Sequence, residues 1–299
     1  MRIAVVGVGD QGARLAARLI TSGEDVILIA RGKTLQRLKT EGLNATQGST
    51  VSGMHVDDIN ATDDCSSIGP VDVILMCVKL YQLADAMETA SHLVGSDTTV
   101  LGFQNGVFGE DRLIERFSSN RVVGVATSVA SVPLSIGELP RGRSDRTSAI
   151  VKIFRKAGVN VIEHDNVMEA IWRKFIMVSG AAITALSRVP IGEMAKVPEL
   201  RQLGTMAVKE TVELANVKGF PFGQEIINQF ESILDEMATS NPAWRPSLLQ
   251  DLEAGRPLEL DAWSGGAVNI GQELGIATPV NFSIYAALKP YENGSVVIY

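Results

Sequence analysis

Residues 1–31 read MRIAVVGVGDQGARLAARLITSGEDVILIAR, and this stretch decides the fold. Two short apolar runs, at 2–6 and 25–30, predict strands that are buried on both faces. Between them, apolar residues recur at helical spacing over 11–22, which predicts an amphipathic helix. A strand, a helix and a second strand within about 30 residues form a βαβ unit.

The turn between the first strand and the helix matches the pattern G-x-G-x-x-G, and its residues are Gly7, Val8, Gly9, Asp10, Gln11 and Gly12. In this pattern the first glycine permits the tight turn and the second lets a pyrophosphate approach the backbone. The third allows close packing, and the helix N-terminus faces the anion. All six residues are therefore candidates for binding a nicotinamide dinucleotide, provided that the Asp10 carboxylate points away from the phosphates.

The residues after the second strand indicate which dinucleotide binds. An NAD site usually has an acidic residue about 20 residues after the glycines, where it holds the ribose hydroxyls. This chain has Arg31-Gly32-Lys33 instead. A guanidinium can clamp a 2′-phosphate through two parallel hydrogen bonds, so Arg31 predicts that the cofactor is NADP(H). The alternative interpretation is that Arg31 is a solvated loop residue.

The rest of the chain falls into two parts. Strands are predicted at 71–78, 99–102 and 121–127, with helices at 83–93 and 109–117 between them, and this alternation implies a parallel, doubly wound sheet. After about residue 163 the pattern is helical and shows no convincing strand, with segments at 165–196, 198–218, 221–239, 245–255 and 258–275. We therefore expect a Rossmann-type α/β domain over residues 1–165 and an all-helical domain over 166–299.

Composition excludes several classes of protein. A formal net charge of −7 argues against a nucleic-acid partner. No stretch approaches the roughly 18 apolar residues of a membrane span, and the N-terminus does not read as a signal peptide, so a cytoplasmic protein is expected. The two cysteines, Cys65 and Cys77, form neither a disulfide framework nor a zinc pattern, and no metal site is expected. The sequence neither demands nor excludes a homodimer.

Further motifs extend beyond the first βαβ unit. They are Val78-Lys79, Gln104-Asn105-Gly106, Trp172-Arg173-Lys174-Phe175, Ile191-Gly192-Glu193, Ser247-Leu248-Leu249-Gln250-Asp251, the stretch EAGRPLELD at 253–261 and Leu288-Lys289-Pro290-Tyr291-Glu292. With these motifs the chain resembles the ketopantoate reductase (2-dehydropantoate 2-reductase) family over nearly its whole length. The resemblance implies hydride transfer from NADPH to the keto carbon of a 2-keto acid.

The resemblance also implies roles for individual residues. Lys174 would donate the proton, and Glu259 would hydrogen-bond the substrate hydroxyl and orient Lys174. Ser247 would bind the substrate carboxylate, Asn105 would meet the nicotinamide ribose or the substrate, and Lys79 would reach the cofactor from its strand end. Each residue also has a plain structural interpretation, such as a solvated lysine, a solvated helical glutamate or an Asn-Gly turn.

Departures from the family pattern leave the substrate open. Val178 and Ala182 stand where family members usually carry two asparagines, and Trp244 replaces an asparagine three residues before Ser247. Reduction of ketopantoate to pantoate is the leading expectation. A D-2-hydroxy acid dehydrogenase acting on a branched or aromatic 2-keto acid is the first alternative. A non-catalytic, NADP-binding redox sensor is the second, although such a sensor would need neither Lys174 nor Glu259.

Overall fold

A sheet of eight strands organises the first half of the chain in the computed structural model, which describes residues 1–47, 51–127 and 133–295. A separate antiparallel pair, β3 and β4, lies outside that sheet. In chain order the strands are β1 (Arg2–Val6), β2 (Asp25–Ile29), β3 (Leu43–Gln47), β4 (Val51–Val56), β5 (Asn60–Thr62), β6 (Val73–Met76), β7 (Thr99–Gly102), β8 (Val122–Ala126), β9 (Leu134–Glu138) and β10 (Val161–Glu163).

The order of strands across the sheet is β10-β9-β8-β7-β6-β1-β2-β5. The five strands predicted from the sequence, β1, β2, β6, β7 and β8, are confirmed. The predicted parallel, doubly wound sheet is confirmed, and in addition one pair, β8 and β9, runs antiparallel. Only residues 127–133 join these two strands, whereas a parallel crossover needs a dozen or more residues. The short connection therefore forces the chain to return antiparallel.

Helices accompany the strands of this sheet. They are α1 (Asp10–Thr21), α2 (Gly32–Glu41), α3 (Leu83–Ala90), α4 (Gly109–Phe117) and α5 (Asp145–Lys156). Helix α1 buries Leu15 and Leu19, two of the apolar residues at helical spacing, whereas the third, Ile20, is half-buried. Helices α2 and α5 were not predicted. The start of α5 is nonetheless encoded locally, because Ser144 caps it and the Thr147 hydroxyl accepts from the Ser144 N–H at 2.9 Å.

The described residues after 166 form helices and no strand, as expected. The helices are α6 (Val167–Ala181), α7 (Ile183–Ser187), α8 (Ile191–Lys196), α9 (Pro198–Val217), α10 (Gln224–Ser240), α11 (Ser247–Glu253), α12 (Ser264–Leu274) and α13 (Pro279–Leu288). None of the helices in the described ranges is long and apolar enough to cross a membrane.

Two helical boundaries differ from the sequence prediction. The segment 165–196 comprises three helices, with breaks after Ala181 and Ser187. The second break occurs because Arg188 ends α7 in the left-handed conformation at φ 58° and Pro190 has no N–H to continue the helix. The segment 258–275 begins with a single 3-10 turn, Leu260–Ala262, and becomes α-helical only at Ser264. Helix α13 was not predicted.

The chain divides into two compact units. The first consists of Met1–Gln104 and Phe108–Ala170 and holds the strands and α1 to α5. The second consists of Asn105–Val107 and Ile171–Tyr299 and is otherwise helical. The grouping of Asn105–Val107 with the helical unit is a feature that the linear sequence does not show.

A charged cluster joins the end of β9 to the start of α5 within the first unit. Arg146 donates from Nε to Glu138 Oε1 at 2.7 Å and from Nη2 to Oε2 at 2.5 Å, and the Ser144 hydroxyl donates to the same carboxylate. The hydrogen bond from Arg146 lowers the pKa of the Glu138 carboxyl below its ordinary value, although partial burial opposes this shift.

We predict that Glu138→Gln lowers the free energy of unfolding by about 1–2 kcal/mol near neutral pH, because a neutral amide replaces a charged acceptor. The folded pKa of Glu138 is lowered, so its contribution is complete above the ordinary carboxyl value of about 4.3. It is lost as the pH falls through the lowered pKa. Denaturant unfolding of both proteins across this range measures the difference. A difference that stays constant with pH would contradict the assignment.

Candidate active site

Packing requires glycine at the first and last positions of residues 7–12, the glycine loop, which connects β1 to the first turn of α1. Gly7 adopts φ +93°, and its N–H donates to the Ile29 carbonyl at 3.0 Å. A Cβ atom on Gly7 would lie 2.6 Å from Val78 Cγ1, and a Cβ atom on Gly12 would overlap the carbonyl oxygen of Gly7. These two glycines therefore allow β1, α1 and the chain after β6 to approach one another.

The middle glycine of the loop has a different environment. Gly9 is the N-cap residue of α1, and a Cβ atom built there would meet nothing within 4 Å. An opening at the N-terminus of a 12-residue helix, where backbone N–H groups are unpaired, fits a pyrophosphate. Val8 is buried and Gln11 is half-buried, whereas the exposed Asp10 forms an ion pair with Arg14 at 2.7 Å. That pair places a compensating cation beside the carboxylate.

Two cations follow β2, which is the neighbour of β1 in the sheet. Arg31 is the N-cap residue of α2, its side chain makes no cap hydrogen bond, and both Arg31 and Lys33 are exposed. The strand end thus presents a guanidinium and an ammonium group close together in sequence. This arrangement suits a phosphate on the cofactor ribose better than two free hydroxyls.

The chain after β6 lies against the glycine loop and is held by a residue to which sequence reasoning assigned no role. Val78 contacts Gly7, and the half-buried Lys79 follows it directly. Gln104, two residues after β7, is buried and donates from Nε2 to the carbonyl oxygens of Met76 at 2.7 Å and Val78 at 3.0 Å. The sequence signal was present, since Gln104 opens the Gln104-Asn105-Gly106 motif.

Asn105 and Glu259 belong to neighbouring segments of the second unit. Gly106 adopts φ +82°, and a Cβ atom there would lie 3.1 Å from the Cα of Ala262. Glu259 begins the turn that contains Ala262, and its carbonyl accepts from the Ala262 N–H at 2.9 Å. Glu259 lies outside the helices and is only 5% exposed, which excludes the interpretation as a solvated helical glutamate. A carboxylate is buried only where other groups compensate its charge.

Lys174 lies on α6, and its neighbours fix the orientation of the helix. The Trp172 ring stacks on Phe220 with centroids 5.6 Å apart and meets Phe175 edge-on at 5.8 Å. Lys174 itself is half-buried, whereas Val178, one turn later, is buried and Ala182, after two turns, is fully buried. The lysine therefore heads an apolar row, and no side chain in that row can hydrogen-bond a substrate hydroxyl.

Ser247 starts α11 and is half-buried. The loop before it is held by α8, because the Ile191 N–H donates to the Trp244 carbonyl at 3.0 Å and the Gly192 N–H to the Pro242 carbonyl at 3.1 Å. A Cβ atom on Gly192 would lie 2.5 Å from the Cα of Pro242, which explains the glycine of the Ile191-Gly192-Glu193 motif. Trp244 is 36% exposed. Helix α7 also packs against α11.

The candidate residues thus form two groups. The glycine loop, Arg31 and Lys79 lie in the first unit, whereas Asn105, Lys174, Ser247 and Glu259 lie in the second. Contacts join the glycine loop to the segment of Lys79, and the segment of Asn105 to that of Glu259. The roles assigned to these residues from the sequence remain predictions.

Cys77 and His55, in the described part of the chain, do not form an alternative catalytic centre. Burial raises the pKa of the Cys77 thiol, which keeps it protonated and unsuited to act as a nucleophile. His55 approaches Asp57 at 2.7 Å, but both side chains are exposed on the β3–β4 pair. Among the residues described here, no three His, Cys, Asp or Glu side chains converge as metal ligands would.

We predict that alanine at Gly9 affects cofactor binding, whereas alanine at Gly12 affects the stability of the protein. Gly9→Ala keeps the stability of the cofactor-free protein within about 1 kcal/mol, because its Cβ has space and φ is −80°. We expect it to weaken NADP⁺ binding about tenfold or more, because the pyrophosphate is predicted to occupy that space. Gly12→Ala instead destabilises the protein itself. Thermal unfolding without cofactor and an NADP⁺ titration separate the two effects, and wild-type affinity in Gly9→Ala would count against this site.

Comparison with known proteins identifies the family. The sequence profile described as "Ketopantoate reductase PanE/ApbA" matches residues 3–144, and "Ketopantoate reductase PanE/ApbA C terminal" matches residues 166–292. The 2-dehydropantoate 2-reductase of Pyrococcus horikoshii is 27% identical to this chain, with 98% of each protein covered.

Solved structures show the same fold. The 2-dehydropantoate 2-reductase of Geobacter metallireducens superposes with a TM-score of 0.87 at 26% identity, over 97% of this chain and 99% of that chain. A D-mandelate dehydrogenase bound to NADH and anilino(oxo)acetate shares the fold with a TM-score of 0.86 at 22% identity, over 98% of each chain. The chain therefore belongs to the ketopantoate reductase family of NADP-dependent oxidoreductases that act on CH–OH groups.

Proposed function

We propose that this protein reduces the keto group of a 2-keto acid to a hydroxyl group with NADPH. The observation that carries the proposal is the buried Glu259 carboxylate, next to a turn against which the Asn105-Gly106 segment packs. The position of Lys174 also supports the proposal, because this half-buried lysine is followed at four-residue spacing by the buried apolar residues Val178 and Ala182. A protein that only bound the dinucleotide would need neither a buried carboxylate nor this lysine.

The residues of the second unit supply the acid–base chemistry. NADPH, when bound, would supply the hydride that reduces the keto carbon. Negative charge then develops on the keto oxygen, and the Lys174 ammonium group stabilises that charge and donates a proton to the oxygen. Glu259 orients Lys174 and accepts a hydrogen bond from the new hydroxyl group, while the Ser247 hydroxyl donates to the substrate carboxylate. One hydride and one proton thus convert C=O to CH–OH.

The residues of the first unit hold the cofactor. The opening at Gly9 takes the pyrophosphate at the N-terminus of α1, where unpaired N–H groups and the helix dipole favour an anion. Arg31 clamps the 2′-phosphate, with Lys33 adding positive charge. Lys79 approaches the cofactor from the end of the neighbouring chain segment, and Asn105 meets the nicotinamide ribose or the substrate.

Two candidate substrates follow from different observations. Ketopantoate is the first, because full-length relatives of this chain bear the name 2-dehydropantoate 2-reductase. A 2-keto acid with an apolar branched or aromatic side chain is the second, because Val178 and Ala182 are buried and apolar. A site that hydrogen-bonds a substrate hydroxyl discriminates strongly, and an apolar wall gives up that contact.

We predict that the protein oxidises NADPH in the presence of 2-keto acids and prefers NADPH to NADH by about tenfold or more in kcat/KM, since the clamp at Arg31 acts only on the phosphate. Initial rates with ketopantoate, 2-ketoisovalerate and phenylglyoxylate compare the candidates. The highest kcat/KM with ketopantoate would support the first, and the highest with either other acid the second. No oxidation with any of the three would contradict the proposed function.

We predict that Lys174→Met lowers kcat about 10²- to 10⁴-fold, because the developing oxyanion loses its proton donor. NADP⁺ affinity and the unfolding temperature stay close to wild type, since the lysine is only half-buried. Steady-state kinetics and an NADP⁺ titration measure both quantities. Lys152→Met, at an exposed position on α5, is the control with unchanged kinetics. Unchanged turnover in Lys174→Met would remove the lysine from the mechanism.

A further inference from the structure

We propose that Gln104 is a positioning residue of the cofactor site, whose side-chain amide holds the end of β6 against the glycine loop. The inference rests on the proposed dinucleotide site and is independent of which substrate is reduced. Gln104 would not touch the reacting atoms. It would set the affinity for NADP(H) through the backbone that it holds.

The first support is the geometry of the amide. Gln104 is 8% exposed, and Nε2 donates to the Met76 carbonyl at 2.7 Å and to the Val78 carbonyl at 3.0 Å. The Met76 carbonyl also accepts from the Phe103 N–H at 3.0 Å, which belongs to the pairing of β6 with β7. The bond to Val78 reaches two residues beyond the end of β6, where no strand pairing fixes the chain.

The second support is what this stretch of backbone contacts. The Cys77 N–H donates to the Val6 carbonyl at 2.8 Å, immediately before Gly7. A hypothetical Cβ atom on Gly7 would lie 2.9 Å from the Val78 nitrogen, and one on Gly12 would lie 3.1 Å from the Cys77 Cβ. Residues 77 and 78 therefore form a wall of the glycine loop, and a displacement of Val78 would be transmitted to the loop and to the adjacent Lys79.

The third support is that only the donor side of the amide is used. Among the residues that the structure describes, no donor reaches the buried Oε1 of Gln104. Cβ atoms on Gly102 and Gly109 would lie 2.9 Å and 3.3 Å from that oxygen, so two glycines make room for the side chain. An unpaired buried acceptor is unfavourable. A residue selected for stability alone would avoid it, whereas a residue selected for two donated hydrogen bonds accepts it.

The competing explanation is that Gln104 only stabilises the pairing of β6 with β7. The chain offers a matched control residue that separates this explanation from the proposal. Thr98 is buried at the opposite end of the same two strands, where its hydroxyl donates to the Val71 carbonyl at 2.6 Å. Thr98→Val removes a side-chain-to-backbone bond from the same strand pair, far along the strands from the glycine loop. It should therefore lower stability without changing cofactor affinity.

The test compares Gln104→Met, Gln104→Glu and Thr98→Val by thermal unfolding and by calorimetric titration with NADP⁺. We expect all three variants to unfold at lower temperature than wild type. Only the Gln104 variants should bind NADP⁺ more weakly, by about tenfold or more, since small displacements of a binding group are costly. Wild-type affinity in Gln104→Met, or an equal loss in Thr98→Val, would overturn the inference. So would unfolding of both Gln104 variants under conditions in which Thr98→Val is folded.

Gln104→Glu adds a readout that a purely structural role would not move. Its carboxylate would face two carbonyl oxygens in a buried position, which raises the pKa of the new carboxyl group. As the pH falls and this group takes up a proton, it can again donate one hydrogen bond. The NADP⁺ affinity of Gln104→Glu relative to wild type should therefore rise as the pH falls, while that of Gln104→Met relative to wild type stays constant. Parallel pH profiles for the two variants would contradict the proposal. Because binding is measured without a keto acid, failure of the proposed reaction would not affect this result.

Discussion

The close approach of α1 to the end of β1 is the constraint on which the first unit depends. Only glycine fits at position 12, because a Cβ atom there would overlap the carbonyl oxygen of Gly7. Strand β1 pairs with β2 on one side and β6 on the other, so the position of this turn is set by three strands at once. The N-terminus of α1 is thereby directed to the carboxyl edge of the sheet, with open space at Gly9.

The polar side chains of the candidate site differ in their exposure to solvent. Arg31 and Lys33 are exposed, which is consistent with the proposal that they meet a phosphate group from solvent. Glu259 and Gln104 are buried, and burial makes each of them depend on a particular hydrogen-bonding arrangement. Both residues lie in motifs by which the chain resembles its family, Gln104 directly before Asn105 and Glu259 within residues 253–261.

The predictable part of the fold was the part with strong local periodicity. Strand β6 is apolar throughout, and β1 and β2 are apolar after their first residues, Arg2 and Asp25. Parallel strands that are buried on both faces have this composition, and the pattern is visible without a structure. Strands β5 and β10 have only three residues each, which is too few to show a recognisable alternation of apolar and polar residues. Pro190 signals the break between α7 and α8, but the apolar spacing continues on both sides of this proline and predicts one helical segment.

The sequence by itself determined the glycine turn, the positive charge after β2 at Arg31, and the apolar residues one and two turns after Lys174. Each of these features depends on residue types at a fixed spacing within a short segment, so local sequence is enough to reveal it. Only the tertiary structure decided that Glu259 is buried outside any helix, that Asn105–Val107 belongs with the helical unit, and that Gln104 holds the chain after β6. Burial and pairing of this kind depend on which distant segments pack together. That packing is a property of the whole fold, so no local pattern records it.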